Sequence, residues 1–144
     1  MIKVYFDGAF SISTGTMGLG AVVKQGRKII YTHHEEIKEG GVTKLDGKHT
    51  IIKETSNNVS EYLSCIKAVE YLIKFHPKEE IEIYGDSQLV INQMNGLWRI
   101  KEGAYAPYAK LLRELIWKLK SPKFIWIPRS SNAYADLVSR GEIQ

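Results

Sequence analysis

The sequence predicts an α/β fold built on a mixed sheet, and three observations lead there. Three strand-like segments follow one another near the N-terminus, joined by short connections. A long helical segment comes next. From residue 80 onward strands and helices alternate, which implies parallel pairing through right-handed crossovers. At 144 residues the chain fits one domain, 1–144, and can bury a sizeable core. No linker, repeat or low-complexity tract marks a second.

Lys3–Phe6 alternates as a short strand and runs into Asp7-Gly8. Gly18–Val23 is small and apolar, as a close-packed central strand would be. Gln25-Gly26 reads as a tight turn and Lys28–Ile37 as a third strand, so an antiparallel meander is the simplest arrangement. Lys38–Ser56 is expected to hold an extra hairpin or a mobile loop. Gly40-Gly41 breaks the strand there, and Asp46-Gly47 between Val42–Leu45 and Lys48–Ile51 is the dipeptide of a type I′ turn. Asn57–Lys74 is a helix, because Val59, Tyr62, Leu63, Ile66, Val69, Leu72 and Ile73 recur at helical spacing. Ser56 or Asn57 can cap it, and His76-Pro77 ends it. Glu80–Tyr84 is a strand followed by Gly85-Asp86. Ser87–Met94 is a short helix stopped by Asn95-Gly96. Tyr108–Leu119 is a helix on Leu111, Leu112, Leu115, Ile116 and Leu119. Lys123–Ile127 is the last strand, ended by Pro128, and Asn132–Arg140 the last helix.

Composition excludes several classes. No apolar run approaches the roughly 20 residues that span a bilayer, so no membrane partner is expected. MIKVYFDGAF lacks the apolar stretch of a signal peptide and starts at once as a strand, which makes the cytoplasm the expected compartment. Cys65 is alone, so it forms no internal disulfide or cysteine zinc site, and its apolar neighbours suggest a buried thiol. The net charge of +4 is unevenly spread. Leu97–Arg129 carries eight cations (Arg99, Lys101, Lys110, Arg113, Lys118, Lys120, Lys123, Arg129) against Glu102 and Glu114, a local +6 that leaves −2 for the remainder. Beside aromatic residues, such an excess is the footprint of a polyanion binder, although a solvated lysine-rich helix face gives the same pattern.

The candidate chemistry lies in carboxylates. Asp7 and Asp86 each follow a predicted strand and are flanked by Gly8 and Gly85, which let backbone and ligand approach. Carboxyl ends of parallel strands face the crevice where α/β proteins bind ligands. Glu61 and Asp136 are expected in the first turns of helices, where a carboxylate can simply complement the helix dipole. Singly, each has a structural explanation. Together in one cleft they would raise each other's pKa unless cations neutralised them. All-oxygen donor sets suit Mg²⁺ or Mn²⁺, and two such ions about 4 Å apart can clamp an in-line phosphodiester displacement.

Tyr5-Phe-Asp-Gly-Ala9, Gly18-Leu-Gly-Ala-Val-Val23, Asn57-Asn-Val-Ser-Glu-Tyr62, Tyr84-Gly-Asp-Ser-Gln-Leu-Val90 and Asn132-Ala-Tyr-Ala-Asp136 occur in that order. This series resembles type 1 ribonuclease H along nearly the whole chain. The resemblance implies a ribonuclease H-like fold, a five-stranded mixed sheet flanked by helices. It implies Asp7, Glu61, Asp86 and Asp136 as metal-binding and catalytic residues, two Mg²⁺ ions for which Mn²⁺ can substitute, and endonucleolytic hydrolysis of the RNA strand of an RNA/DNA hybrid, with 5′-phosphate and 3′-hydroxyl products. Gly8 would approach the substrate, and Glu61 would also touch the RNA near the scissile phosphate. Asn57, Asn58 and Gln88 match positions that read the hybrid's minor groove, where 2′-hydroxyls distinguish RNA. Ser56 or Thr55, and Trp98, match positions that grip the DNA strand. For Asn57 helix capping, and for Trp98 simple packing, are the plainer alternatives.

Two departures stand out. Ile127-Pro-Arg-Ser-Ser-Asn132 lacks the loop histidine many members carry, and His33, His34, His49 and His76 all lie elsewhere. The pattern Pro128-Arg-x-x-Asn-x-x-Ala-Asp136 resembles a subgroup of the family, and Arg129 is the candidate substitute at the scissile phosphate. The basic protrusion of some members is also missing, since Trp98–Tyr108 is short, leaving Arg99 and Lys101 to grip the hybrid. Other classes remain open at this point: a binding module that kept the fold, a same-fold nuclease with another substrate, or a reverse transcriptase fragment. Loss of a carboxylate would favour the first, and none is lost. A monomer acting alone is expected.

Overall fold

The computed structural model describes residues 1–143. Its strands are β1 (Ile2–Ser11), β2 (Thr16–Gln25), β3 (Lys28–Lys38), β4 (Val42–Leu45), β5 (Lys48–Ile51), β6 (Ile81–Gly85) and β7 (Lys123–Trp126). The helices are α1 (Asn57–Phe75), α2 (Gln88–Met94), α3 (Ala106–Ile116) and α4 (Ala133–Ser139), with a single 3₁₀ turn at Arg129–Ser131. Five strands form one sheet in the order β3-β2-β1-β6-β7. The first three are antiparallel, and β6 and β7 add in parallel. The fold is therefore the mixed α/β sheet flanked by helices that the sequence predicts.

The sheet is buried throughout its α1 side and, around β2, on the other side as well. Ile2, Val4 and Phe6 of β1 alternate onto the side covered by α1, together with Leu63, Ile66, Val69 and Leu112. Each such side chain contributes roughly 1.5–3 kcal/mol when removed from water. On the other side Val22 packs against Ala135 and Val138 of α4. Burial on both faces is why β2 reads as a continuous small apolar run rather than as an alternation.

Several boundaries differ from the sequence reading. β1 does not stop before Asp7. It stays paired to β2 from Ile2↔Gln25 to Ser11↔Thr16, so Asp7 lies inside a strand. Its parallel ladder with β6 does end there, at Phe6↔Gly85. Asp7 and Asp86 are thus the first residues beyond the same paired step, side by side. α3 starts at Ala106, earlier than Tyr108, because Pro107 sits in the first turn, where a missing N–H costs nothing. Glu61 is the fifth residue of α1, not a first-turn residue, and that first turn holds no acid at all.

The 38–56 segment contains the paired hairpin β4–β5, turned by Asp46 (φ 51°) and Gly47 (φ 78°). It is held by polar contacts rather than free. Thr43 Oγ1 donates to Glu35 at 2.5 Å, Lys67 Nζ donates to the Lys44 carbonyl at 2.5 Å, and the Asp46 amide donates to Glu70 at 2.6 Å. Cys65 is fully buried in α1 and its thiol is pushed up by burial.

Candidate active site

The middle of β1, the end of β6 and α1 bring three carboxylates together. One oxygen each from Asp7, Glu61 and Asp86 lies within 4.8 Å of the others. α1 reaches this close because β1 presents Gly8 to it. A Cβ on Gly8 would stand 2.6 Å from the Ser60 carbonyl carbon and 2.7 Å from the Glu61 amide. The sequence suggests Gly8 for ligand approach; in the structure its space is taken by the helix that carries Glu61. Its amide donates to Asp7 Oδ1 at 2.9 Å.

The electrostatics of the group are unfavourable as it stands. Asp7 is raised to about 8, first by burial and then by the charges of Asp86 and Asp136. Glu61 is raised well above the usual range by burial and by Asp7 and Asp86, opposed only by the Gly8 amide and Arg129. Glu61 Oε2 and Asp86 Oδ1 are buried and have no hydrogen-bond partner. Orphaned anionic oxygens are costly in a protein interior. Hard oxygen donors with no nitrogen or sulfur among them fit a divalent cation of the Mg²⁺ or Mn²⁺ kind.

Asp136 stands outside this trio. It lies in the first turn of α4, and its charge helps to raise the pKa of Asp7. Its Oδ2 accepts from Arg140 Nη2 at 3.0 Å. Arg129 Nε stands 4.0 Å from Asp86 Oδ2 on a side chain that is 85% exposed. The four predicted acids therefore converge, but as a tight trio with a fourth at its edge.

The remaining candidates line the rim. Ser56 caps α1, accepting from the Val59 amide at 3.1 Å, which settles the cap in its favour over Asn57. Asn57, Asn58 and Gln88 are exposed at the starts of α1 and α2. Trp98 is 46% exposed, so packing alone does not account for it. The eight cations between Leu97 and Arg129 are all exposed.

Three positioning groups escape the sequence reading. Ser64 Oγ bridges the sheet at Asp7, lying 2.8 Å from the Asp7 carbonyl and accepting from the Gly20 amide at 3.2 Å. Asn132 Nδ2 donates to the Phe6 carbonyl at 2.9 Å and ties the approach to α4 onto β1 beside Asp7. Arg140 holds Asp136. A serine on an otherwise apolar helix face, and an Arg four residues after an Asp, are the signals that point to Ser64 and Arg140.

A family model described as reverse transcriptase-like matches residues 5–141. The chain is 30% identical over 138 residues to Ribonuclease HI of Halobacterium salinarum, covering 96% of this chain and 62% of that one. The chain spans 62%, 55% and 33% of the lengths of curated relatives from H. salinarum, Bacillus subtilis and Mycobacterium tuberculosis. Among solved structures, the N-terminal RNase H domain of Rv2228c from M. tuberculosis superposes with a TM-score of 0.80 at 25% identity, covering 98% of this chain and 91% of that one. LC11-RNase H1, solved in complex with an RNA/DNA hybrid, gives 0.79 at 26% identity, covering 99% and 96%.

Proposed function

Because the chain belongs to the reverse transcriptase-like family of ribonuclease H-type domains, we propose that it hydrolyses the RNA strand of RNA/DNA hybrids with two divalent cations, leaving 5′-phosphate and 3′-hydroxyl ends. The observation that carries this reading is the buried trio Asp7, Glu61 and Asp86 with its two orphaned oxygens. Asp7, Glu61 and Asp86 would hold one ion, and Asp7 with Asp136 the other. Mg²⁺ is the expected metal, with Mn²⁺ able to substitute. Bound there, the ions would activate water and stabilise the leaving oxygen of an in-line displacement.

The chain's own groups do the rest. Gly8 keeps the trio compact, and Ser64 and Asn132 fix the backbone on either side of Asp7. Asn57, Asn58 and Gln88 stand exposed at two helix starts, where they would read minor-groove 2′-hydroxyls. Ser56 and Trp98 would bear on the DNA strand. Arg129, exposed beside Asp86, would meet the scissile phosphate. Support for a hybrid substrate comes from LC11-RNase H1, which was solved on one.

The test is cleavage of an end-labelled hybrid with Mg²⁺, beside single-stranded RNA, duplex RNA and duplex DNA. Only the RNA of the hybrid should be cut, and Asp86→Asn should reduce cutting to background. If the hybrid binds but stays intact in both Mg²⁺ and Mn²⁺, the protein is a binding module and the proposal fails.

A further inference from the structure

Asp136 is the one acid of the four that already has a closed bond to a cation. Arg140 directly follows α4, four residues after Asp136, with its side chain 46% exposed. Its Nη2 donates to Asp136 Oδ2 at 3.0 Å, and its Nη1 donates to Glu142 Oε1 at 3.1 Å. One guanidinium is thus shared between a carboxylate whose charge bears on Asp7 and a carboxylate outside the site. Arg129 differs, since it stops 4.0 Å from Asp86 and closes no hydrogen bond. Within the trio, Glu61 Oε2 and Asp86 Oδ1 are buried without a partner, whereas Asp136 Oδ2 already meets a guanidinium.

We infer that Arg140 is the resident counter-ion of Asp136, a positioning residue that competes with a divalent cation for that carboxylate and is handed to Glu142 when the cation arrives. The inference rests on the two-ion reading of the site and deepens it. One lone pair of Oδ2 cannot serve a guanidinium and a metal at once, and two cations on one carboxylate repel, so a metal that takes that lone pair displaces Arg140. Glu142 eases the exchange, because the displaced guanidinium keeps one of its two partners and does not return to water alone. The ion between Asp7 and Asp136 is therefore held less tightly than its ligands alone would hold it, by an amount set by the Arg140 pair. The ion in the trio carries no such handicap.

Mn²⁺ titration in the absence of nucleic acid reads this directly, with free Mn²⁺ counted by electron paramagnetic resonance and a thermal melt of each variant showing that it is folded. Arg140→Ala should tighten the weaker Mn²⁺ site about two- to fivefold, the range that a half-exposed ion pair carries. Glu142→Gln should weaken it, because the guanidinium then belongs to Asp136 alone. In an Asp136→Asn background, Arg140→Ala should leave Mn²⁺ binding unchanged. The inference is overturned if Arg140→Ala leaves the weaker site unaltered or loosens it. It is overturned equally if the tightening persists with Asp136→Asn, which would mark a general field effect, or if Glu142→Gln has no effect. Wild-type protein that binds Mn²⁺ but ignores Arg140 sinks this inference alone. Wild-type protein that binds no Mn²⁺ sinks the two-ion reading with it.

Discussion

Asp7 keeps its proton to about pH 8 in the folded chain, because burial and the charges of Asp86 and Asp136 disfavour the carboxylate. An unfolded aspartate titrates near about 4. Between those values the folded state binds a proton that the unfolded state has lost. The stability from that proton is full below about pH 4 and disappears as pH rises through 8. Melting of the metal-free protein should therefore fall between pH 5 and 8.5, and Mg²⁺ or Mn²⁺ should restore more at pH 8 than at pH 5. Asp7→Asn should flatten the profile and raise the melting temperature at pH 8 by about 4 °C, roughly 1 kcal/mol, while abolishing cleavage. Glu35 behaves in the opposite sense. Burial would raise it, but hydrogen bonds to His33 and Thr43 and the Lys67 ammonium outweigh burial and bring it to about 2. Its contribution is present above about pH 4 and is lost only as pH falls through 2. Arg129 belongs to the same scale. Its exposed guanidinium has no packing role to lose, so Arg129→Ala should keep the melting temperature and lower turnover roughly fivefold, as expected for one charge-assisted contact. An unchanged rate would remove it from the mechanism.

Strands and helices meet at this site through missing side chains. Gly20 pairs with Asp7 across β1 and β2, and a Cβ there would lie 2.5 Å from the Ser139 amide and 2.7 Å from the Ala135 carbonyl. α4 is only seven residues long, so its place on the sheet depends on that fit. Gly20→Ala should cost about 1–3 kcal/mol by overpacking and should push Asp136 away from Asp7. A loss of cleavage larger than the loss of stability, measured on protein that is still folded, would show the second effect. The glycines of β2 are legible in the sequence as close packing, but not the helix they admit, because α4 is more than a hundred residues away along the chain. The same limit explains the other differences. Asp7 reads as a strand terminus because the parallel ladder does end there, whereas the antiparallel partner that continues it cannot be read from Tyr5-Phe-Asp-Gly. Glu61 reads as a dipole partner, although a helix that starts at Asn57, as the spacing predicts, already carries it past the first turn and against the sheet. Ser64 stands out as a serine on an apolar helix face, but its partners on β1 and β2, and the bond of Asn132 to the Phe6 carbonyl, leave no trace in a one-dimensional pattern. The apolar spacing of α1 and the alternation of β1 are fully legible because they are local.

At the scale of the molecule, charge and chemistry are separated. Asp7 and Asp86 sit just past the last paired step between β1 and β6, and the eight exposed cations lie on the 97–129 segment, with Arg129 alone placed beside Asp86. Hybrid affinity should therefore fall steeply with salt. Replacing both Arg99 and Lys101 with Ala should reduce the slope of log affinity against log salt by about 2, one for each phosphate no longer neutralised, with little change in the cleavage pattern. An unchanged slope would move the grip elsewhere on the surface. The charge excess is visible in the sequence, but its uniform exposure is not, since Leu112, Leu115 and Leu119 of the same stretch face inward. The order of the acids along the chain has a consequence in time. Asp7, Glu61 and Asp86 all leave the ribosome well before Asp136, which arrives on the last helix to dock. A growing chain can pair β1, β2, β3 and β6 around α1 while the fourth acid is still unmade, so the activity proposed here waits until synthesis has passed Asp136.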